Sequence, residues 1–464
     1  MKIMIKNGTI VTSVDEFRAD LLIENEKIAA IGSSLEIQAD EVVDAEGLYV
    51  LPGGVDQHTH FNFTFKTATV RGFETSNAAL AGGTTTIVDF ANQEMGKSLK
   101  ESIDKYNENK VAPKAMCDYS FHGVVFDAND SLFEEIPKLP EIGVPTLKLF
   151  MAYKGMPYHC DDDSVFKALQ ASKEAGVTIM VHAENADIID VLQKQCLARG
   201  EVDPIYHAVS RPPIVETECT QRAISLAEAA EAPLFVVHVT AKGAMEAIRD
   251  AYSRGIPAFG ETCTHYLVLD TENLAKPDFE GAKYVCSPAL RSKNHRDALW
   301  AAVQKGWLKC VSSDHCGFNW AEQKHLGKGD FTSIPNGAPG LQDRLQVLWT
   351  NGVETGKISR QRFVDLWATA PAKICGLFPQ KGTLAVGSDA DVVLFDASDR
   401  GLISVSDTFH GVDYNSYEGM EFIGKPKKVY LRGQLTFEDG NFLGKEGQGR
   451  FIKGKPFGLC YENS

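Results

Sequence analysis

The spacing of apolar residues differs between the two ends of the chain and its middle. Residues 1–50 read as short strands separated by turns, at Lys2–Lys6, Thr9–Val11, Asp20–Glu24, Ile28–Ile31 and Val42–Asp44. The C-terminal part has the same pattern of short strands and turns, with β-like runs at Asp391–Phe395, Pro426–Leu431 and Gln434–Glu438. Asn7-Gly8 is a type I′ turn signal, so we expect the first two strands to form a hairpin. Neither end has the length or helical periodicity for a core of its own, which predicts one small β domain built from both termini.

The middle of the chain alternates apolar, β-branched runs with amphipathic helical segments. The strand-like runs are Tyr49–Pro52, Thr84–Phe90, Tyr119–Val125, Thr146–Phe150, Thr178–Val181, Leu234–Val237, Pro257–Phe259 and Cys310–Val311. Helical patterns between them include Asp163–Ala175, Thr217–Ala230 and Ala241–Arg254. This alternation predicts a parallel sheet buried on both faces, and eight strands favour a (β/α)₈ barrel over a doubly wound sheet. We therefore expect an α/β protein in which residues 51–378 form the barrel. Residues 1–50 and 379–464 supply the β-sandwich and a C-terminal tail.

Composition narrows the class of protein. The 464 residues are 44% hydrophobic and 23% charged, with a net charge of −15. Such an acidic chain without basic runs disfavours nucleic acid and anionic membranes as partners, and no stretch has the roughly 20 apolar residues of a membrane span. Ten scattered cysteines without CxxC pairs are typical of reduced thiols, and the N-terminus lacks the apolar core of a secretory signal. We expect a soluble, cytoplasmic globular protein.

Ligand-type side chains follow several of the predicted strands. His58 and His60 are two residues apart, so they leave one face of an extended strand, and His182, His238 and Asp314 each follow a later strand. A single histidine at a strand end is more often a hydrogen-bonded structural residue. Five such residues at the carboxyl ends of four barrel strands meet at one barrel mouth, which favours a metal site.

Lys148 lies inside the apolar run TLKLF (Thr146–Phe150), where burial disfavours its charged form. One interpretation is a buried ion pair, for example with Asp314. The other is chemical, because a neutral lysine amine can add carbon dioxide and become an anionic carbamate that bridges two metals. The residue pattern alone leaves both open.

Longer motifs carry a family resemblance. GGVDQHTH (Gly53–His60) resembles the metal signature of the amidohydrolase superfamily. The chain is similar nearly end to end to cyclic amidohydrolases, in particular hydantoinases and dihydropyrimidinases. The motifs that carry this similarity are LKLFMAYKG (Leu147–Gly155), VHAEN (Val181–Asn185), YHAVSRPP (Tyr206–Pro213), ETCTHYL (Glu261–Leu267), SPALR (Ser287–Arg291), SSDHCGFN (Ser312–Asn319), GKGDFTSIPNG (Gly327–Gly337) and KGTLAVGSDADVVLFD (Lys381–Asp396).

The resemblance implies a TIM barrel with a β-sandwich, two divalent metal ions and a homotetramer. One metal would be bound by His58, His60, carbamylated Lys148 and Asp314, and the other by the second carbamate oxygen with His182 and His238. Four imidazoles favour Zn²⁺, while the oxygen ligands also admit Mn²⁺ or Co²⁺. In this family Tyr153, Ser287 and Asn336 contact the cyclic amide.

The implied activity is hydrolysis of dihydropyrimidines or 5-substituted hydantoins to N-carbamoyl amino acids, as in dihydropyrimidinase or D-hydantoinase. Asp314 would move the proton and the Tyr153 hydroxyl would stabilise the oxyanion. Dihydroorotase is disfavoured because no arginine follows the HxH motif. Allantoinase stays an alternative, and a non-enzymatic scaffold of this fold should lack ligands that are all present here.

One segment departs from the family pattern. Relatives commonly have an acidic residue and then Met-Pro after HTHx, whereas this chain has Asn62-Phe63-Thr64. Phe61, Phe63 and Phe65 stand at alternate positions after the metal motif, and Tyr153, Met156 and Tyr158 follow the Lys148 strand. We expect an apolar lid over the substituent of the ring, although some of these side chains could instead pack the loops or a neighbouring subunit.

Overall fold

The computed structural model describes residues 1–456. The strands within this range are β1 (Lys2–Lys6), β2 (Thr9–Val11), β3 (Glu16–Arg18), β4 (Asp20–Glu24), β5 (Lys27–Gly32), β6 (Glu41–Asp44), β7 (Tyr49–Pro52), β8 (Gly54–Thr59), β9 (Thr64–Phe65), β10 (Ala68–Thr69), β11 (Thr84–Asn92), β12 (Asp118–Val124), β13 (Thr146–Phe150), β14 (Thr178–His182), β15 (Leu234–Val236), β16 (Ala258–Cys263), β17 (Cys310–Ser312), β18 (Val392–Leu402), β19 (Glu421–Leu431), β20 (Gln434–Glu438) and β21 (Asn441–Phe442).

The helices are α1 (Asn77–Ala81), α2 (Leu99–Tyr106), α3 (Asp130–Glu135), α4 (Asp162–Ser172), α5 (Ala186–Ala198), α6 (Ile205–Val209), α7 (Pro213–Ala230), α8 (Lys242–Ser253), α9 (Thr264–Val268), α10 (Thr271–Leu274), α11 (Lys293–Lys305), α12 (Arg344–Leu348), α13 (Arg360–Val364) and α14 (Ala370–Ile374). Short 3₁₀ segments lie at Phe73–Thr75, Ile136–Ile142, Glu280–Tyr284, Lys324–Gly327, Phe331–Ser333 and Val405–Asp407, and π turns at Asn107–Val111, Trp349–Val353 and Asp365–Thr369. Among residues 1–456 no helix combines the length and apolarity needed to cross a membrane.

Eight parallel strands form the barrel in the order β8, β11, β12, β13, β14, β15, β16, β17. Buried aliphatic residues on the outer face of these strands pack against the helices, while alternate residues point inward. Lys148 pairs in register with Met180, which pairs with Phe235, which pairs with Phe259. The lysine therefore occupies an interior layer whose other members are large and apolar. These elements confirm the predicted barrel.

The barrel closes through side chains as well as backbone. The His60 N–H donates to the His315 carbonyl at 2.7 Å. Below this contact the buried Arg344 guanidinium donates to Val55 O at 3.0 Å and Val311 O at 3.1 Å, so one side chain joins β8 to β17. This seam holds the strand that carries His58 beside the strand that precedes Asp314.

The predicted β-sandwich is built from both parts of the chain. One sheet has the order β5-β4-β1-β6, and the other has the order β21-β20-β19-β18-β7-β2-β3. Side chains of both sheets share one core that includes Ile5, Ile10, Val50 and Val392. The domain boundaries after residues 50 and 378 stay a prediction, and residues 457–464 of the proposed tail lie outside the described residues.

Two details of the strand prediction are wrong. Tyr49–Pro52 is a sandwich strand, because β7 pairs with β2 and β18, and the first barrel strand is Gly54–Thr59. Asn7-Gly8 makes no hairpin, since β1 and β2 lie in different sheets. Asn7 has φ +65°, and a Cβ on Gly8 would lie 2.4 Å from Val50 Cγ2, so this pair lets the chain cross between two packed layers.

A buried ion cluster joins the sandwich to the barrel. Lys381 Nζ lies 2.5 Å from Asp118 on β12, 2.9 Å from Asp391 and 3.0 Å from Asp389. Arg432 also binds Asp118. Burial would lower the pKa of Lys381, but these carboxylates together raise it, so the lysine stays charged. The cluster fixes the two parts of the chain against each other.

Candidate active site

The predicted ligand residues meet at the carboxyl end of the barrel. His58 lies near the end of β8, His182 ends β14, and His238 and Asp314 each follow the last residue of a strand by two positions. His238 (φ +40°) and Asp314 (φ +47°) have left-handed backbone, which is uncommon for residues with a side chain and turns both toward the barrel axis.

His58, His60 and Asp314 form the tightest group. Asp314 Oδ1 lies 3.2 Å from His58 Nε2 and 3.3 Å from His60 Nε2, and one ligand atom from each residue lies within 4.8 Å of the others. Burial alone would raise the pKa of Asp314, but the positive charge that His58 gains at acid pH and a hydrogen bond with His60 hold it well below its ordinary value. The carboxylate is therefore ionised and faces two imidazole nitrogens, an arrangement that suits a divalent cation.

Two of the histidines each have one ring nitrogen hydrogen-bonded to a buried carboxylate that was not predicted from the sequence. Glu261, in the middle of β16, accepts from His58 Nδ1 at 2.6 Å, and Glu184 lies 2.8 Å from His182 Nε2. Such contacts fix the tautomer and leave the other ring nitrogen free for a metal. Glu184 stands in the VHAEN motif two residues after His182, a spacing that could have revealed it. Glu261 carries no comparable signal.

Lys148 is enclosed by aromatic rings. Its Nζ lies 5.0 Å from the ring centroids of both Phe90 and Phe150 and has no hydrogen-bond partner among the described residues. Burial lowers the pKa of Lys148 to about 7. Because a buried ammonium with no acceptor is costly, the neutral amine is the form this surrounding favours. The predicted ion pair with Asp314 is not among the ion pairs of residues 1–456, so the first interpretation of Lys148 loses its main support.

Unpartnered nitrogen atoms point to a missing ligand. His238 Nδ1 and Lys148 Nζ are buried without a hydrogen-bond partner in the described part of the chain. His58 Nε2 makes no hydrogen bond there either, although Asp314 Oδ1 lies 3.2 Å from it. The rings of His182 and His238 lie 4.5 Å apart, and those of His58 and His238 5.2 Å apart. Burial lowers the pKa of all three histidines, so they are neutral and able to bind metal. The donor set fits divalent metal ions.

A cavity opens above this group. Its walls include Tyr153, Ser287 and Asn336, which the sequence analysis assigned to the substrate. Asn336 Nδ2 donates a hydrogen bond to Ser287 Oγ at 3.1 Å. The side chains of Tyr153 and Ser287 are hydrogen-bonded to each other as well. The backbone of Tyr153 is left-handed, with φ +64°. Burial raises the pKa of its hydroxyl, and the negative charge of nearby Glu184 raises it further, so the hydroxyl stays protonated. The three residues thus form one polar edge.

Aromatic side chains form the rest of the wall. Phe63, Phe65 and Tyr158 line the cavity. Phe61 does not, because it is buried in the core with its ring 4.6 Å from that of Phe73. Met156 is exposed and lies apart from the lining residues of the described chain. The role of Met156 stays a prediction. The cavity also includes a set of residues that the sequence analysis did not assign to it, namely Phe90, Asn92, Val124, Phe126, Phe150 and Cys316.

The loop that departs from the family pattern is a small hairpin. β9 and β10 pair, and Phe63 and Phe65 pack on a cluster that contains Cys316 and Phe318. Lys66 Nζ donates to Ser333 Oγ at 2.8 Å. These contacts give the hairpin a docked position beside the cavity, so its phenylalanines can contact a bound ring.

Comparisons with known proteins agree with this geometry. Residues 49–436 match the model described as the amidohydrolase family. The chain is 48% identical over 458 residues to the D-hydantoinase of Geobacillus stearothermophilus, covering 98% of this chain and 97% of that protein. It is 47% identical to the D-hydantoinase of Ralstonia pickettii, with 98% and 100% covered. The crystal structure of dihydropyrimidinase from Brevibacillus agri superposes with a TM-score of 0.96 at 49% identity, covering 98% of this chain and 99% of that one.

Proposed function

Because the chain belongs to the hydantoinase and dihydropyrimidinase branch of the amidohydrolase family, and is therefore a hydrolase of cyclic amide bonds, we propose that the cavity described above is its active site. The observation that carries the proposal is the convergence of neutral histidines, an ionised Asp314 and an unpartnered Lys148 beneath one polar edge. The substrate is a cyclic ureide, either a dihydropyrimidine or a 5-substituted hydantoin, and the product is an N-carbamoyl amino acid.

Six residues hold the metals in this proposal. His58, His60 and Asp314 would hold one divalent ion, His182 and His238 would hold the other, and carbamylated Lys148 would offer an oxygen ligand to each. When bound, the two ions supply a water of lowered pKa and polarise the ring carbonyl. Zn²⁺ suits four imidazoles best, and Mn²⁺ or Co²⁺ suits the oxygen ligands.

Carbamylation of Lys148 requires a neutral amine. The lone pair of Nζ attacks carbon dioxide, an N–C bond forms, and one proton leaves to solvent. The result is an anion with two oxygen ligands. The apolar layer around Lys148 and the lack of a hydrogen-bond partner in residues 1–456 support this chemistry, because both favour the uncharged amine.

Other side chains transfer the proton, stabilise the oxyanion and bind the ring. Asp314 takes a proton from the attacking water and returns it to the ring nitrogen as the C–N bond breaks, so that water adds across that bond. The Tyr153 hydroxyl donates to the carbonyl oxygen as negative charge develops there. Ser287 and Asn336 meet the alternating N–H and C=O groups of the ring, largely through their main chain. No cationic side chain is needed, since these rings are uncharged.

The substituent of the ring faces the aromatic wall. Phe63, Phe65 and Tyr158 line it, and Met156 lies on the adjoining loop. We propose the D-enantiomers of 5-substituted hydantoins as substrates, in line with the D-hydantoinases that the chain resembles.

A substrate panel tests the function. Purified protein should hydrolyse dihydrouracil and 5-alkyl or 5-aryl hydantoins, and lose this activity when a chelator removes its metal. Dihydroorotate and allantoin serve as rival substrates. Faster hydrolysis of allantoin than of the other rings would identify the protein as an allantoinase. A metal-loaded protein that hydrolyses none of the rings would favour a scaffold role.

We further propose a homotetramer in the cytoplasm. Helix α5 exposes Ile188, Val191 and Leu197, and the neighbouring α6–α7 segment exposes Val209 and Ile214. A high density of exposed apolar side chains on neighbouring elements is typical of a subunit interface. Light scattering should therefore show a smaller assembly for Val191→Asp. The matched variant Val386→Asp alters an exposed valine elsewhere and should leave the mass unchanged.

A further inference from the structure

Lys324 is a buried lysine whose three possible donors are all used. Its Nζ donates to the carbonyl oxygens of Val285 at 2.8 Å, Pro335 at 2.7 Å and Gly337 at 2.6 Å. The side chain is fully buried and begins the short turn Lys324–Gly327. The metal site and the proposed chemistry make no use of it.

Those three carbonyls belong to the two segments that form the polar edge of the cavity. Val285 lies two residues before Ser287, while Pro335 and Gly337 flank Asn336. The Gly337 N–H also donates to Val285 O at 3.0 Å. Gly337 has φ +135°, and a Cβ there would lie 2.5 Å from Cys316 Cβ, so the Asn336 segment passes Cys316 at a point where no side chain fits.

We propose that Lys324 is a positioning residue for substrate binding, because it clamps the segments of Ser287 and Asn336 at the spacing that the ring requires. This inference rests on the proposed function, in which both segments contact the ring. Lys324 itself touches neither the ring nor the reacting atoms.

The geometry requires the charged form of Lys324. A neutral amine has only two N–H groups, whereas three carbonyl oxygens lie within hydrogen-bond distance. Burial lowers the pKa of Lys324 to about 7. Hydrogen bonds to three carbonyl oxygens favour the ammonium and so act against this shift.

Charge on Lys324 also affects the donor strength of the edge. The Pro335 carbonyl shares its peptide group with the Asn336 N–H, so a hydrogen bond from an ammonium at the oxygen polarises that N–H. Removal of the ammonium weakens both the spacing and the donor. Ground-state binding of the ring suffers, while the groups that transfer protons are untouched.

Two variants test the clamp. Lys324→Met removes all three donors, and Lys324→Gln retains two. We expect KM for a 5-substituted hydantoin to rise at least about tenfold in Lys324→Met and less in Lys324→Gln, with kcat changed by less than about threefold. Metal content should equal that of the wild type in both. Lys328→Met is the matched control, since Lys328 is exposed on the same segment, and its KM should not change.

Several outcomes would overturn the inference. One is a KM in Lys324→Met that equals that of the wild type. Another is a loss of activity in Lys324→Met that comes from a lower kcat and not from a higher KM. Failure of both Lys324 variants to fold would assign the residue to overall stability instead. If the wild type hydrolyses no cyclic ureide, the proposed function fails. If the wild type is active and the variants keep its KM, only the clamp fails.

Discussion

The titration of Lys148 offers a direct test of the carbamate. Burial lowers the pKa of this lysine to about 7, whereas an exposed lysine titrates near 10.4. At pH 8 about nine-tenths of Lys148 would then be neutral, against roughly 0.4% of an exposed lysine, a difference of about 230-fold. Since only the neutral amine attacks carbon dioxide, the buried site should carbamylate readily near neutral pH.

The assay starts from protein stripped of metal and carbon dioxide at mildly acidic pH. Reactivation is followed after addition of metal at a constant concentration of dissolved CO₂, so that only the amine changes its protonation. The rate should rise about tenfold from pH 6 to pH 8 and then level off, since the neutral fraction grows from about 9% to about 91%. Labelling with ¹³CO₂ identifies the carbamate by its NMR signal.

Two results would refute the reasoning. A rate that climbs steadily to pH 10 would mean that Lys148 has the pKa of an exposed amine. Full activity of Lys148→Ala without a carboxylic acid additive would mean that no carbamate is needed. Partial rescue of that variant by a short carboxylic acid is the expected result, because the acid supplies the missing oxygen ligands.

Other substitutions separate the roles of the remaining groups. Asp314→Asn should lower kcat by at least about 10²-fold, because the amide cannot carry the proton, and rapid kinetics at saturating substrate measure this loss. Tyr153→Phe should lower kcat by roughly 10- to 10³-fold, and a change confined to KM would instead make the hydroxyl a ground-state contact. Phe63→Ala and Phe65→Ala should shift the kcat/KM ratio between bulky and unsubstituted rings by about 1–3 kcal/mol, and equal losses for both rings would assign these side chains to packing. Glu261→Gln should weaken one metal site by about 10- to 100-fold in a chelator competition, since the amide cannot accept all the donors that the carboxylate accepts, and unaltered affinity would contradict its role behind the histidine.

The sequence predicts the fold well where local pattern and tertiary packing agree. Thr146–Phe150 is the strand that its apolar run predicts, with the same limits. Tyr49–Pro52 misled the prediction because a strand buried between two layers has the same composition in a sandwich as in a barrel. Asn7-Gly8 misled it for another reason, since left-handed backbone serves a crossover as well as a hairpin.

The site shows a similar division. His58 and His60 could be found from their spacing, because a two-residue repeat places both on one face of a strand. Glu261 could not, since a carboxylate within a strand reads as an ordinary polar position until its partner His58 is known. Lys324 was equally hidden, because its three partners are backbone carbonyls, which every sequence supplies.

The pairing of β7 with β18 bears on how the chain is made. Pro52 finds its partner in Val392, roughly 340 residues later. At a synthesis rate of about 5–20 residues per second, the N-terminal strands wait on the order of 20–70 s for this partner to leave the ribosome. Throughout that interval one edge of β7 has no partner strand, and the core around Ile10 and Val50 lacks Val392. The nascent chain should therefore depend on chaperones early, and truncation before residue 392 should cause aggregation instead of a smaller working enzyme.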